Sequence, residues 1–327
     1  MESEKTEPAA KMKVLIAYDG SACAEAALQD LERAGLPAEV EARILSVSEV
    51  ILPPPMSYTL PSAGALDLQR LLEQNARELG EAAARRVAAK FPQWKIEVEA
   101  HPGSATNAII TLADEWHPDL IVVGSHGRSA VGRLLLGSVS QAVLHEAPGS
   151  VRIARGPGYA VGREGASRLI ARAAPDPTDP VRILVGIDGS SIADDAVEAV
   201  AARTWPRGSV VRLLHADFDI SPVAVDHLLV AIASWIAEER TRLADAVERA
   251  RQTLLAAGLT VEVAVRPGDA KSLLLEEAEE WQAEVIFVGA KNLSQAGRLR
   301  LGSVSSAIAA RAHCSVEIVR RTREAHA

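Results

Sequence analysis

Residues 120–143, which read LIVVGSHGRSAVGRLLLGSVSQAV, show most clearly which fold this chain adopts. The first four residues form a continuous apolar run, which is typical of a strand buried on both faces of a parallel sheet. A glycine-containing loop follows, and Ser138 then opens a segment whose apolar residues recur at helical spacing. The stretch therefore predicts a strand, a loop and a helix in that order.

The chain contains this pattern twice. The segment LLLGSVSQAV at 134–143 returns as LRLGSVSSAI at 299–308, and VLIAYDGS at 14–21 returns as ILVGIDGS at 183–190. A repeat at this spacing predicts two copies of one domain, and a length of 327 residues agrees with two domains. We place domain 1 at residues 11–155, a linker with Gly and Pro at its ends at 156–180, and domain 2 at 181–321.

Within each copy, short apolar runs alternate with longer amphipathic segments. This alternation predicts the α/β class, with two doubly wound parallel five-stranded sheets that carry helices on both faces. The candidate strands are 14–18, 41–47, 96–100, 120–124 and 151–154 in domain 1, and 183–187, 210–216, 260–265, 285–289 and 316–319 in domain 2.

Three further segments carry helical expectations. Ala108, Leu112 and Trp116 recur at the spacing of one buried helical stripe, and a short helix is expected in the linker around 166–173. Residues 228–237 are apolar around the whole helical circumference. They fit either a helix buried in the domain or a surface for a second chain.

The composition argues against several classes of function. The chain has 35 Lys and Arg against 43 Asp and Glu, a net charge of −8, and only 3% aromatic residues. Nucleic acid and anionic membranes are therefore not expected as partners. No apolar run reaches the length of a membrane span and the first residues do not resemble a signal peptide, so a cytoplasmic location is expected. Two cysteines and scattered histidines predict no metal site in the protein itself.

The loop after the fourth strand has the chemistry of a phosphate site. Parallel sheets bind ligands beyond the carboxyl ends of their strands, and a glycine there lets main chain approach a ligand closely. The start of the following helix offers free N–H groups and the positive end of the helix dipole. Ser138 and Ser140 could add hydroxyl donors, and Arg128 could add positive charge. Each residue alone also fits a simpler role, as a turn glycine or a helix cap.

Two motifs together resemble the universal stress protein family. The first is Asp19-Gly20-Ser21 after the first strand, and the second is the pattern G-2x-G-9x-G-[ST] that begins at Gly124 and ends at Ser138. The resemblance implies that Asp19 and the main chain near Val47 hold an adenosine, and that the glycine loop holds the phosphates of ATP accompanied by Mg²⁺ or Mn²⁺. The implied contacts in domain 1 are Asp19, Gly20, Ser21, Val47, Gly124, His126, Gly127, Arg128, Gly137, Ser138, Val139 and Ser140.

Domain 2 departs from this pattern at one position. Asn292 stands where domain 1 has Gly127, and a non-glycine residue in a left-handed conformation costs about 1–2 kcal/mol, less for Asn. We therefore expect domain 1 to bind ATP and domain 2 to bind it more weakly. The implied contacts in domain 2 are Asp188, Gly289, Asn292, Gly302, Ser303, Val304 and Ser305.

The sequence leaves three functions open. The resemblance favours a nucleotide-dependent stress sensor or switch, built as a tandem pseudo-dimer and read by a second copy or by an unidentified protein partner. A slow ATPase or phosphotransferase would need a group aimed at the γ-phosphate, for which His126 is the candidate in the loop. The third possibility is a scaffold in which the repeat is a fused dimer and nucleotide has no role. The resemblance implies that the last strands, 151–154 and 316–319, are the edges that pair the two halves.

Overall fold

The computed structural model describes residues 11–49, 62–127, 136–156, 159–161, 167–169, 175–217, 229–290 and 301–321. Only the backbone is described for residues 62–66, 159–161, 167–169, 229–234 and 236. The strands of domain 1 are β1 Met12–Ala17, β2 Val40–Ser48, β3 Lys95–Pro102, β4 Leu120–Gly124 and β5 Ser150–Ala154. Its helices are α1 Ala22–Asp30, α2 Ser62–Lys90, α3 Ala105–Trp116 and α4 Ser138–Glu146, with a 3₁₀ turn at Leu31–Arg33.

Domain 2 repeats this order. Two short strands between the domains, β6 Tyr159–Val161 and β7 Ser167–Leu169, pair antiparallel with each other. The strands of domain 2 are β8 Arg182–Ile187, β9 Val210–Asp217, β10 Thr260–Pro267, β11 Val285–Gly289 and β12 Ser315–Val319. Its helices are α5 Ser191–Ala201, α6 Leu229–Ala256, α7 Ala270–Glu280 and α8 Ser303–Arg311.

The strands confirm the predicted α/β class. Domain 1 has the order β3-β2-β1-β4-β5 and domain 2 the order β10-β9-β8-β11-β12, with parallel pairing throughout each half. Strands β5 and β12 then pair antiparallel, as expected for the two last strands, so the halves form one ten-stranded sheet. In each half the first strand lies between the second and the fourth, where the strand order reverses. A crevice opens at the carboxyl ends of such strands.

Two local expectations are wrong. The buried stripe of α3 runs through Ile109, Leu112 and Ala113, while Ala108 and Trp116 lie half-buried at its margin. The stripe is shifted because two layers cover α3: the sheet on one side and neighbouring α4 on the other. In the linker, Ser167–Leu169 is a strand and not part of a helix. The rest of the expected helix, residues 166 and 170–173, lies outside the described residues. In the described part of the chain, no helix is long and apolar enough to cross a membrane.

A buried ion network joins the two halves. Arg152 on β5 lies directly opposite Glu317 on β12, and both side chains are 1% exposed. The Arg152 guanidinium is 2.6 Å from the Asp30 carboxylate and 3.2 Å from that of Glu317. Arg203 donates to the other oxygen of Glu317. The network is thus built from both halves of the chain.

The network also makes the pairing selective. Arg152 and Glu317 are 165 residues apart, so they occupy the same position in the two copies of the repeat. Two copies of domain 1 paired in this register would place Arg152 against Arg152. Like charges directly opposite on paired strands are destabilising. The arrangement therefore favours pairing of domain 1 with domain 2 over pairing of either domain with itself.

Candidate functional site

The two ends of the glycine loop meet at the carboxyl end of β4 in domain 1. The N–H of Gly137 donates to the Ser125 carbonyl at 2.9 Å, and a Cβ on Gly137 would lie 3.2 Å from the Cα of His126. His126 is half-buried, with Nδ1 3.3 Å from the Ser125 hydroxyl. The loop therefore leaves and rejoins the fold at one point. Arg128 lies outside the described residues.

The structure brings the Asp-Gly-Ser motif to this loop. A Cβ on Gly127 would lie 3.1 Å from Oδ2 of Asp19, and the Ser21 hydroxyl is 3.5 Å from the His126 carbonyl. The other oxygen of Asp19, Oδ1, accepts from the Ser21 N–H at 2.9 Å, and Gly20 has φ of +75°. Asp19 therefore shapes a turn with one oxygen and faces the glycine loop with the other.

The expected cost of Asn292 assumed a left-handed backbone conformation at the position of Gly127, and Gly127 does not have that conformation. Its φ is not in the left-handed region, unlike that of Gly20. The constraint at Gly127 is instead the nearby Asp19 carboxylate, since any side chain would project toward it. Asn292 itself lies outside the described residues.

Helix α4 begins with main-chain donors that the helix itself does not satisfy. Its N-cap is Gly137, which has no side chain to cap the helix, so Ser138 is not the cap; the preceding residues 128–135 lie outside the described part of the chain. The N–H groups of the first turn, which includes Ser138, Val139 and Ser140, have no acceptor within the helix. The Ser140 hydroxyl donates to the Gly124 carbonyl at 2.6 Å. The side chain of Ser140 thus links the helix to the strand. The group that Ser140 contributes at the helix start is its main-chain N–H.

The same tie recurs in domain 2. The Ser305 hydroxyl donates to the Gly289 carbonyl at 2.8 Å, and Gly302 begins α8 without a side-chain cap. Oδ1 of Asp188 accepts from the Ser190 N–H at 3.0 Å, as Asp19 does in domain 1. The aspartate turns and the serine ties therefore have equivalent positions in both halves.

Gly124 and Gly289 are required by packing as well as by any ligand. A Cβ on Gly124 would lie 2.8 Å from the Cys23 carbonyl oxygen, and one on Gly289 would lie 2.3 Å from that of Ile192. Both contacts are to main chain in the helix that follows the first strand, so the backbone must shift to accept a side chain. The sequence analysis considered ligand approach and a turn for the loop glycines, but not this packing against the helix.

We expect Gly289→Ala to lower the free energy of unfolding by about 1–3 kcal/mol, because overpacking forces backbone shifts. Urea denaturation of the full chain measures the loss. The matched control is Ser303→Ala at the same edge of the sheet, which removes an exposed side-chain hydroxyl and should change stability little. Equal stability of Gly289→Ala and the unsubstituted chain would contradict this packing.

A cavity of about 530 Å³ opens at the predicted site of domain 2. Ala216 is in the wall of this cavity. It lies at the end of β9, in the position that Val47 has at the end of β2. Sequence reasoning missed His215, Trp235 and Arg240, which belong to no motif. The predicted residues that line the cavity are Asp188, Gly289, Gly302, Ser303, Val304 and Ser305.

Tyr18 fixes the end of β1 beside the site. Its phenol donates to the Glu25 carboxylate and accepts from Arg86, and only 4% of Tyr18 is exposed. Burial, and then Glu25, raise the pKa of the Tyr18 phenol, so the group stays neutral. No group of three or more His, Cys, Asp or Glu side chains that could hold a metal ion occurs among the residues for which positions are described.

Comparison with known proteins gives consistent matches. The model of the universal stress protein family matches residues 12–155 and again 181–320. A universal stress protein of Mycolicibacterium smegmatis is 29% identical over 311 residues, covering 94% of this chain and 96% of that protein. A universal stress protein structure from Archaeoglobus fulgidus has a TM-score of 0.60 at 22% identity, covering 94% and 98% of the two chains.

A shorter structure, of a universal stress protein family protein from Arabidopsis thaliana, has AMP bound. The match covers 44% of this chain and 94% of that chain, at 18% identity and a TM-score of 0.34. The two matches to the family model span most of the present chain, one in each half of the ten-stranded sheet. The chain therefore belongs to the universal stress protein family, with two such domains in tandem.

Proposed function

We propose that the chain binds adenine nucleotide in the crevice of each half, that domain 1 takes ATP, and that occupancy controls a surface read by another protein. The observation that carries the proposal is the approach of Gly127 to the Asp19 carboxylate beside a helix start whose N-cap is a glycine. A carboxylate that accepts hydrogen bonds from ribose then lies next to main-chain N–H groups that donate to phosphate.

Each part of the nucleotide has a counterpart in domain 1. Asp19 accepts from the ribose hydroxyls, and the main chain near Val47 borders the base. The main chain at Gly124, Gly127 and Gly137 leaves room for the phosphates, which receive hydrogen bonds from the first turn of α4. Mg²⁺ or Mn²⁺ accompanies the phosphates and neutralises part of their charge.

The output of binding is a change in the glycine loop. The loop begins at the end of β4 and returns to the start of α4, so a bound phosphate tail would fix both ends in one arrangement. A second copy of the chain or another protein then recognises the surface around the loop. A ligand shifts such an equilibrium only by its difference in affinity for the two arrangements.

We expect Gly127→Asn to weaken ATP binding at domain 1 by about tenfold or more. The new side chain presses on the Asp19 carboxylate, and lost hydrogen bonds to a charged group cost about 1.5–3 kcal/mol. Calorimetric titration of the full chain with MgATP measures the change.

The matched control is Gly258→Asn. Gly258 has φ of +81° with open space around its Cβ position, and it lies in the turn before β10, at the opposite edge of the sheet. Asn tolerates this conformation, so the titration should remain that of the unsubstituted chain. An unchanged titration of Gly127→Asn would count against the assignment of the loop.

A further inference from the structure

Strand β10 forms one edge of the ten-stranded sheet, and within the described part of the chain it pairs with β9 alone. The N–H of Gly268, just after β10, donates to the Asp217 carbonyl at the end of β9 at 3.1 Å. Main-chain groups alternate between the two sides of a strand, so every second residue of β10 directs its main-chain groups away from the sheet. Counted back from Gly268, these residues are Pro267, Val265, Val263 and Val261.

The side chains of β10 add an apolar surface to this edge. Val263 is 45% exposed and Val265 is 57% exposed. On β3, at the other edge of the sheet, Val98 has the position of Val263 and is half-buried, and Ala100 stands in place of Val265. Unpaired main-chain groups beside exposed valines favour pairing with a further strand.

The two edges of the sheet carry different charges. The N–H of Gly103 donates to the end of β2 as that of Gly268 donates to the end of β9, so β3 and β10 align at a spacing of 165. In this alignment Ala264 stands where β3 has Glu99. Charged side chains on an edge strand oppose pairing with another chain. The edge formed by β3 has such a charge at its centre, and the edge formed by β10 does not.

The charged side chains of β10 lie on the face that α7 covers. Arg266 pairs with Glu277 of α7 at 2.9 Å, and Glu262 pairs with Arg212 of β9 at 2.5 Å. Arg212 also pairs with Glu277 at 2.5 Å, so one chain of ion pairs links Glu262 to Arg266. The two ends of β10 therefore carry opposite charges in fixed positions on one face.

This pattern is self-complementary for a second copy of the chain. If two β10 strands pair antiparallel with Ala264 on the two-fold axis, Glu262 of each copy lies opposite Arg266 of the other. The exposed Val263 then lies opposite Val265. Opposite charges and apolar side chains directly across from each other stabilise an antiparallel pair.

Other registers and the other edge fit less well. With the two-fold axis at either valine, Glu262 and Arg266 no longer lie opposite each other. Pairing of β3 with a second β3 in the corresponding register would place Glu99 against Glu99, and like charges in that position are destabilising. The complementarity is therefore specific to β10 and to one register.

We infer that the chain forms a dimer in which the β10 strands of two copies pair antiparallel about Ala264. The contact covers Val263 and Val265 and joins the two sheets into one. It is the same surface on both copies, so it closes with two-fold symmetry. The edges that remain are the two β3 strands, whose Glu99 opposes further growth. The inference does not rest on the proposed function, because the contact lies at the edge of the sheet and requires no nucleotide.

Sedimentation velocity of the full chain, at concentrations from micromolar to millimolar, measures this association. A contact of one strand from each copy is at the small end for protein interfaces, so we expect a sedimentation coefficient that rises with concentration toward that of a dimer. Ala264→Glu should raise the dissociation constant about fivefold or more, because it places two carboxylates opposite each other.

The matched control is Ala264→Gln, which adds nearly the same side chain without the charge and should associate like the unsubstituted chain. The fold can accept a long side chain here, as domain 1 shows. Glu99 pairs with Arg43 at 3.4 Å, and Arg212 has the position of Arg43 in domain 2. Circular dichroism checks that both variants are folded.

Ala264→Cys tests the register without any change of charge. Residues that face each other in a non-hydrogen-bonded antiparallel pair have Cα atoms about 4.5 Å apart, a distance that a disulfide spans. Mild oxidation should therefore link two Ala264→Cys chains. Glu99→Cys on β3 is the matched control and should give no more linked dimer than the unsubstituted chain, which keeps Cys23 and Cys314.

Three results would overturn the inference. The first is an unsubstituted chain that stays monomeric at all these concentrations, as it would if another protein or another part of the chain covered β10. The second is equal association of Ala264→Glu and the unsubstituted chain. The third is a yield of linked dimer from Ala264→Cys no higher than that from Glu99→Cys. None of these results bears on titration with MgATP, so the proposed function is tested separately.

Discussion

Arg152→Met should lower the free energy of unfolding by about 3–5 kcal/mol, as expected when one partner of a buried ion pair is removed. The Arg152 side chain is 1% exposed and donates to both carboxylate oxygens of Asp30 and to Glu317. Methionine would fill the space without neutralising either carboxylate. Arg203 would remain for Glu317 and the Ser315 hydroxyl for Asp30, so the loss is large but finite.

The charge of Arg152 persists at all pH values at which the fold exists. Burial alone would lower the pKa of its guanidinium, but Asp30 and Glu317 outweigh burial and hold that pKa above its usual range. We therefore expect the destabilisation by Arg152→Met to be similar at pH 7 and pH 9. Urea denaturation of the full chain measures it.

The matched control is Arg251→Met on α6. Arg251 pairs with Glu248 one helical turn away at 3.0 Å, and both side chains are well exposed. Exposed pairs of this kind contribute little, so this variant should unfold close to the unsubstituted chain. If Arg152→Met and Arg251→Met had equal effects, the network would not hold the halves together as described.

Asp19→Asn should weaken ATP binding at domain 1 by about 10- to 150-fold, the range expected when hydrogen bonds to a charged group are lost. Asn keeps an oxygen that can accept from the Ser21 N–H, so the turn after β1 survives. What is lost is the negative charge that faces the ribose. Isothermal titration calorimetry with MgATP compares the two chains.

Asp188→Asn is the matched control for Asp19→Asn, since Asp188 makes the same turn in domain 2. It should leave the ATP affinity of domain 1 unchanged and weaken nucleotide binding at domain 2. The assignment of the two carboxylates would be contradicted if Asp188→Asn, and not Asp19→Asn, removed the ATP site.

The repeat and the sheet could be predicted because they follow from local patterns. The apolar runs identified the ten strands of the main sheet, and the alternation of strands and helices identified its parallel, doubly wound class. The strand order, with its reversal next to Asp19, was not predicted. Pairing of the last strands was expected from the family resemblance and not from a local pattern. The opposition of Arg152 and Glu317 was not, because a register between distant strands has no local sequence signal.

The finer features of the sites depend on tertiary approach. The way the helices dock on the sheet places Gly289 against the carbonyl of Ile192. It also places Gly127 opposite Asp19 without a left-handed backbone conformation. Trp235 was part of an apolar segment for which burial and a surface role were both open. The structure places it at the surface, with 59% of the residue exposed.

Calorimetric titration of the intact chain with MgATP tests the central claim most directly. We predict saturable heat with one tighter ATP site per chain, which Asp19→Asn weakens and Asp188→Asn leaves in place. A chain that is folded by circular dichroism yet gives no binding heat at millimolar MgATP would contradict the claim that these crevices bind nucleotide.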